Sequence, residues 1–300
     1  MPSRRILTIA ILLVLVAALT VTACGATPTP VPSPEPTTSP AKPATLRLAT
    51  TTSTADTGLL DAILPAFERA NNCKVDVVAV GSGQAIEIGR KGDADVLLVH
   101  SRAAEDLFVA DGFARQRFDV MYNDFIVVGP KNDPAAAAGK SLAKEAFQAI
   151  ISKQAPFASR GDKSGTNTKE LSIWSSISVT PTQDMKWYNA IGQGMGDTLV
   201  FANENKGYTL VDRGTWLAMQ AKLPNLVVIV GGNSLVENKD KALLNPYGVM
   251  AVNPDKYSTA NFDLATTFVA WLISPEEQKV IGGYGVDKYG QQLFYPSAGK

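Results

Sequence analysis

From Arg160 to Thr166 the chain sets one permanent cation, the hydroxyls of Ser164 and Thr166, and Gly165 within seven residues. These residue types suit a small oxyanion. Arginine offers a rigid planar fork of donors. The free N–H groups of a helix start add donors and a favourable dipole. Gly165 allows close backbone approach. Two further runs have similar chemistry. Thr50-Thr51-Thr52-Ser53-Thr54 offers five hydroxyls, and Gly81-Ser82-Gly83-Gln84 frees a serine N–H and hydroxyl to face a ligand. The second run is not a dinucleotide fingerprint, because Ile86 stands where the third glycine is required. Each run alone reads equally as a cap, a turn or a solvated loop; three of them, each after an apolar strand, point together at one anion site.

The elements that must position these runs are legible as alternating strands and helices. The pattern predicts strands at Thr45–Ala49, Val75–Val80, Val96–Val99 and Phe125–Val128. Helices are predicted over Leu59–Ala70, with apolar positions Leu60, Ile63, Leu64 and Phe67, over Ala85–Arg90 and over Ala103–Ala110. This is the order of a parallel sheet with crossover helices. A second block repeats the style. Helices are predicted at Lys140–Ile150, Lys169–Ser175, Gly194–Asn203 and Gly214–Ala221. Strands are predicted at Pro156–Ala158, Tyr208–Leu210, Leu226–Val230 and Val249–Val252. Helices at Leu264–Ile273 and Glu276–Ile281 close the chain. The expected fold class is α/β. Ligands of open α/β sheets bind beyond the carboxyl ends of the strands, where the polar runs fall.

The front of the chain reads as an export signal. Arg4 and Arg5 precede an apolar run from Ile6 to Thr20, which is short for a membrane span. Val21-Thr22-Ala23-Cys24 then resembles a bacterial lipobox, with Cys24 as the lipid anchor of the mature chain. Residues 25–43, rich in Pro, Thr, Ser and Ala, have too few apolar residues to fold and read as an extended tether. The expected organisation is a signal peptide over 1–23, an anchor and tether over 24–43, and a globular part from residue 44.

Composition excludes several functions. Lys plus Arg and Asp plus Glu both number 28, so there is no basic footprint for nucleic acid. Cys73 is the one cysteine besides Cys24, so the mature domain has no internal disulfide and no Cys–His nucleophile nearby. His100 is the single histidine, which rules out a multi-histidine metal site. Ser141–Lys144 and Lys163-Ser164-Gly165 mimic fragments of penicillin-interacting enzymes at the wrong spacing, and neither a Gly-x-Ser-x-Gly elbow nor a phosphate-loop signature is present. No catalytic residue, cofactor or bound metal cation is expected.

The Arg160 run resembles the Arg-x-x-x-Ser-Gly-Thr element of phosphate-type solute receptors. It is closer to the Ser-Arg-Gly-Asp-x-Ser-Gly-Thr run of tungstate receptors. Leu48-Ala-Thr-Thr-Thr-Ser53, Val80-Gly-Ser-Gly-Gln-Ala85, Gly92-Asp-Ala-Asp-Val-Leu-Leu-Val-His100, Met121-Tyr-Asn-Asp-Phe125 and Tyr208-Thr-Leu-Val-Asp-Arg-Gly214 are similar to the same TupA-type receptors of ABC importers. The resemblance spans nearly all of 45–285. It implies a two-lobed type II solute-binding clamshell, each lobe a mostly parallel sheet flanked by helices. The chain would cross between lobes near Phe125–Lys131 and Asn245–Val252, giving lobe 1 as 44–128 with 247–300 and lobe 2 as 129–246. It implies tungstate as ligand with molybdate as competitor, permease and ATPase subunits as partners, and a monomer. By the match, Thr51, Thr52, Ser53, Ser82, Gly83, Arg160 and Thr166 form the ligand set, and Ser164 and Gly165 enter by the phosphate-receptor pattern. Asn167 departs from the histidine expected after Ser-Gly-Thr.

Selectivity turns on His100. Phosphate receptors use Asp at the end of the third strand, where a carboxylate accepts the proton of hydrogen phosphate; this chain places His100 there. The expectation is that a missing carboxylate permits a fully ionised tungstate or molybdate. The alternative is that His100 only packs between the lobes, behind the ligand shell. Sulfate, phosphate and a sensory role without transport stay open at this stage.

Overall fold

The computed structural model describes residues 43–299; the export signal, Cys24 and most of the tether lie outside the described residues. Three parallel strands open the fold: β1 (Ala44–Thr51), β2 (Cys73–Val80) and β3 (Val96–Val99). Helices α1 (Thr52–Asp56) and α2 (Leu59–Asn71) connect the first pair, and α3 (Ser82–Lys91) joins the second and third. The predicted stripe of α2 is fully used, since Leu60, Ile63, Leu64 and Phe67 are all buried beneath the sheet. In the parallel register Thr51 faces Val80, and Thr50 faces Leu98. Thr51, Gly81 and His100 therefore leave the sheet at one edge.

Helix α4 (Arg102–Ala110) leads into β4 (Phe118–Pro130), the longest strand. The sequence predicts only the second half of it. Its first half carries Asp119, Asn123 and Asp124, and such polar residues look like loop by composition. Asn123 and Asp124 are nevertheless buried, because each is satisfied by a distant partner, Asn245 and Arg213.

The second half of the molecule contains α5 (Ala143–Ser152), β5 (Phe157–Ser159), α6 (Gly165–Ser176), β6 (Tyr188–Ala190), α7 (Met195–Glu204), β7 (Thr209–Asp212), α8 (Arg213–Met219) and β8 (Leu226–Val230). The chain returns through β9 (Leu244–Ala251) and ends with α9 (Phe262–Leu272), α10 (Pro275–Gly283), α11 (Val286–Tyr289) and β10 (Tyr295–Pro296). Strand β4 pairs with β9 up to Asp124 and with β7 and β8 from Phe125 onward. The pairs made by β4 and β9 are antiparallel, while β2–β1–β3 and β5–β6 are parallel. One strand leaves the first half and the other comes back, so they must run in opposite senses.

The result is a two-lobed α/β fold of the type II solute-binding class. One lobe is cored by Leu46, Phe67, Val249 and Phe268, the other by Phe147, Phe157, Trp174 and Tyr208. Trp187, Tyr188 and Tyr208 all belong to the second core. Cys73 is a buried free thiol packed with the first core. Among the described residues no helix is long and apolar enough to cross a membrane.

Candidate functional site

The polar runs meet at a cleft of about 750 Å³ lined by Thr52, Ser53, Gly83, Gln84, Arg160 and Asp162, together with Gly192-Gln193-Gly194. Two of the runs are not loops. Thr52 and Ser53 form the first turn of α1, which Thr51 caps by accepting the N–H of Thr54 at 3.2 Å. Ser82 and Gly83 are the first residues of α3. A five-residue helix is too short to show periodicity, so α1 reads as a hydroxyl-rich loop in sequence. The consequence for chemistry is that α1, α3 and α7 all present their first residues to one cleft, and α6 begins just behind Lys163. Their unpaired N–H groups supply a partial positive charge there.

The hydroxyls of the first run divide into tasks. Thr50 Oγ1 donates to Leu98 O at 2.7 Å and stitches β1 to β3. Thr51 is 2 % exposed and lies behind the cleft wall, 2.6 Å from Thr54 Oγ1 and 3.1 Å from His100 Nε2. Ser53 Oγ is 3.2 Å from the same nitrogen and lines the cleft.

His100 sits at the end of β3. Asn245 Nδ2 donates to Asn123 Oδ1 at 2.8 Å, which leaves Asn245 Oδ1 to accept from His100 Nδ1 at 3.0 Å. Nε2 is then the acceptor for Thr51 or Ser53. Burial pushes the imidazole pKa down to about 4, and the charge of Arg160 acts in the same sense, against the Asn245 hydrogen bond. His100 is neutral at physiological pH. A β-carbon on Gly165 would lie 2.8 Å from His100 Cε1 and 3.1 Å from Ser82 Oγ. The start of α6 thus rests directly on residues at the ends of β2 and β3. Ser82 Oγ is buried with no hydrogen-bond partner among the described residues.

Arg160 is 6 % exposed, and its Nη2 lies 2.5 Å from Asp162 Oδ2. Its Nε is buried and unpartnered among the described residues. The guanidinium is therefore steered by a carboxylate two residues away. Around it the loop is tightly built. Ser164 caps α6 by accepting the N–H of Asn167 at 3.2 Å, and Asp162 accepts the N–H of Ser164 at 3.1 Å. Thr166 is buried in the first turn of α6. Of the residues singled out in sequence, Thr52, Ser53, Gly83 and Arg160 face the cleft. Thr51, Ser82, His100, Ser164, Gly165 and Thr166 form the layer behind it.

A family model described as the PBP superfamily domain matches residues 36–276. The tungstate-binding protein TupA of Peptoclostridium acidaminophilum is 48% identical over 256 residues, covering 84% of this chain and 86% of that protein. The chain belongs to the TupA family of the PBP superfamily. A solved tungstate-binding TupA from Desulfovibrio alaskensis G20 superposes with a TM-score of 0.72 at 41% identity, covering 85% of this chain and 99% of its own. A structure described as the tungstate ABC transporter from Geobacter sulfurreducens gives a TM-score of 0.70 at 50% identity, covering 80% and 98%.

This TupA-family cleft includes residues that the sequence does not flag. Asp162 and Lys163 lie inside the Arg160 run but show no role until Asp162 is seen on the guanidinium. Gly192-Gln193-Gly194 follows β6 as Gly81-Ser82-Gly83 follows β2. The repeated Gly-x-Gly after a β-branched residue is the signal that finds it, since the three-residue β6 has no readable alternation. Asp56 and Asp162 offset Arg160 and Lys163, so the formal charges of the lining side chains cancel. Among the described residues no group of three or more His, Cys, Asp or Glu side chains is placed to hold a metal ion.

Proposed function

We propose that the protein is an extracytoplasmic receptor that captures tungstate for the permease and ATPase of an ABC importer. The observation that carries this reading is the convergence of three helix starts, the Ser53 hydroxyl and the Arg160 guanidinium on one cleft whose side-chain charges cancel. Four oxygens of a tetrahedral dianion need donors from several directions, and elements of both halves supply them. The names of the relatives at 48% and 41% identity support tungstate as the ligand. Thr52, Ser53, Gly83 and Arg160 are the direct ligands in this reading, and Thr51, Ser82, Ser164, Gly165 and Thr166, the rest of the set that the resemblance implies, support them from behind. Neutral His100 suits an unprotonated oxyanion because it brings no carboxylate to the strand end.

The lobes are taken as 44–128 with 247–300 and 129–246, and the change of partners along β4 supports a crossing in that strand. Cys24 anchors the chain to lipid, residues 25–43 tether it, and the protein acts as a monomer. The role is binding rather than catalysis.

The test is calorimetric titration of the protein and of Arg160→Ala with tungstate, molybdate, sulfate and phosphate. Charge-assisted hydrogen bonds contribute about 1.5–3 kcal/mol each, so Arg160→Ala is expected to weaken tungstate binding by about 10- to 150-fold with an unchanged circular dichroism spectrum. Undiminished binding by that variant would remove Arg160 from the site. Binding of sulfate or phosphate in preference to tungstate would assign a different oxyanion.

A further inference from the structure

Behind the Arg160 loop lies a carboxylate that anion capture as described above does not use. Glu170 is 2 % exposed and forms no ion pair among the described residues. Four donors surround it. Its Oε1 accepts from Trp174 Nε1 at 3.0 Å and from the Tyr188 hydroxyl at 2.9 Å. Its Oε2 accepts from the Ser159 hydroxyl and from Asn167 Nδ2 at 3.4 Å. Ser159 immediately precedes Arg160, and Asn167 immediately follows Thr166.

Both intermediaries reach into the loop. Ser159 Oγ accepts the N–H of Gly161 at 3.2 Å, and Asn167 Oδ1 accepts the N–H of Lys163 at 3.0 Å. Gly161 and Lys163 have φ of 62° and 60°, the left-handed region that a lysine rarely adopts. Asn167 Nδ2 also donates to Ser159 Oγ at 3.2 Å, so the amide cannot turn over without losing both this bond and the one to Glu170. Glu170 therefore fixes the amide orientation that holds the strained turn carrying Arg160.

We propose that Glu170 is a positioning residue of the oxyanion loop and takes up a proton when a dianion occupies the cleft. This rests on the reading of the cleft as an oxyanion site. The groups facing Glu170 are Ser159 from β5, the Tyr188 phenol from β6, and Asn167 and Trp174 from α6 itself; none is a cation. Burial outweighs the four donors and pushes its pKa up to about 7. The Tyr188 hydroxyl can turn from donor to acceptor, so Oε1 can receive the proton, while Ser159 Oγ already accepts from Gly161 and Asn167 and stays a donor to Oε2. A dianion nearby disfavours a second negative charge. By linkage, a proton that the anion favours must favour the anion equally.

The experiment titrates tungstate into the full chain and Glu170→Gln from pH 6 to 8, in buffers of different ionisation enthalpy. For tenfold coupling, the wild-type Kd is expected to rise by about fivefold from pH 6 to pH 8, with net proton uptake. Glu170→Gln is expected to flatten the profile and abolish the uptake. A flat wild-type profile, or a slope that survives in Glu170→Gln, would overturn the proposal. Tyr188→Phe removes one donor to the carboxylate and should move the midpoint to higher pH, which keeps the test open if Glu170→Gln fails to fold. No tungstate binding at any pH would sink the functional reading instead. The ¹³C carboxyl resonance of Glu170 in the protein alone then decides, and a carboxylate ionised throughout pH 6–8 would end the proposal.

Discussion

At the residue scale the proposed discrimination between oxyanions rests on a single neutral imidazole. His100 is held by Asn245 on one side and by two hydroxyls on the other, and burial keeps it uncharged. A carboxylate in its place would suit a ligand that carries a proton and repel one that does not. His100→Asp is therefore expected to weaken tungstate binding by more than tenfold, while hydrogen phosphate weakens less or gains. Competitive titration of the two anions at neutral pH checks this, and an unchanged ranking would show that His100 serves only to pack. The residue also contributes to pH-dependent stability. Its folded pKa lies below the ordinary histidine value, so the unfolded chain binds the extra proton and stability falls as pH drops from about 6.5 towards 4. Glu170 acts in the opposite sense. Its folded pKa is raised, so its contribution is present below about 4.5 and is lost as pH rises through 7.

Helix starts are the working units at the level of elements. Helix α6 can approach β2 and β3 closely only because its first residue has no side chain. Gly165→Ala separates packing from folding. Alanine is favoured over glycine in a helix by about 1 kcal/mol, so α6 itself should not suffer. The added methyl would meet His100 and Ser82 and hold α6 away from them. The expected outcome is at least a tenfold loss of tungstate affinity with a melting temperature within a few degrees of wild type. Retained affinity would mean that α6 need not rest on His100 for binding. In α1 the Thr51 cap turns a threonine-rich stretch into a helix whose first residues, Thr52 and Ser53, line the cleft.

For the whole molecule the decisive element is β4, which changes its pairing partners along its length. At its change of partners Asp124 receives Arg213 Nε and Nη2 at 2.7 Å each, and the same guanidinium donates to the carbonyls of Gly231 and Gly232. Asn238 adds a third donor to Asp124 at 2.7 Å. Both charges are almost fully buried. Removing one partner from such a pair strands the other in a medium that cannot solvate it, at a cost of about 3–5 kcal/mol. Asp124→Ala should lose that much stability in urea unfolding. A loss below about 1 kcal/mol would show that Arg213 finds another partner, and the junction would need a different account.

The sequence by itself determined the local pieces. Val96–Val99 and Leu226–Val230 are strands with the predicted bounds, and the α2 stripe is buried as its period requires. The Arg160 run and the two hydroxyl and glycine runs were visible because hydrogen-bonding types at strand ends are a local pattern. Only the tertiary structure decided what those pieces do to one another. The Asp162 clasp on Arg160, the four donors on Glu170 and the pairing of Asp124 with Arg213 depend on which surfaces meet. The polar first half of β4 and the short β6 were illegible for the same reason. Their residues are satisfied by partners far away in the chain, and neither periodicity nor spacing encodes the distance between two remote segments.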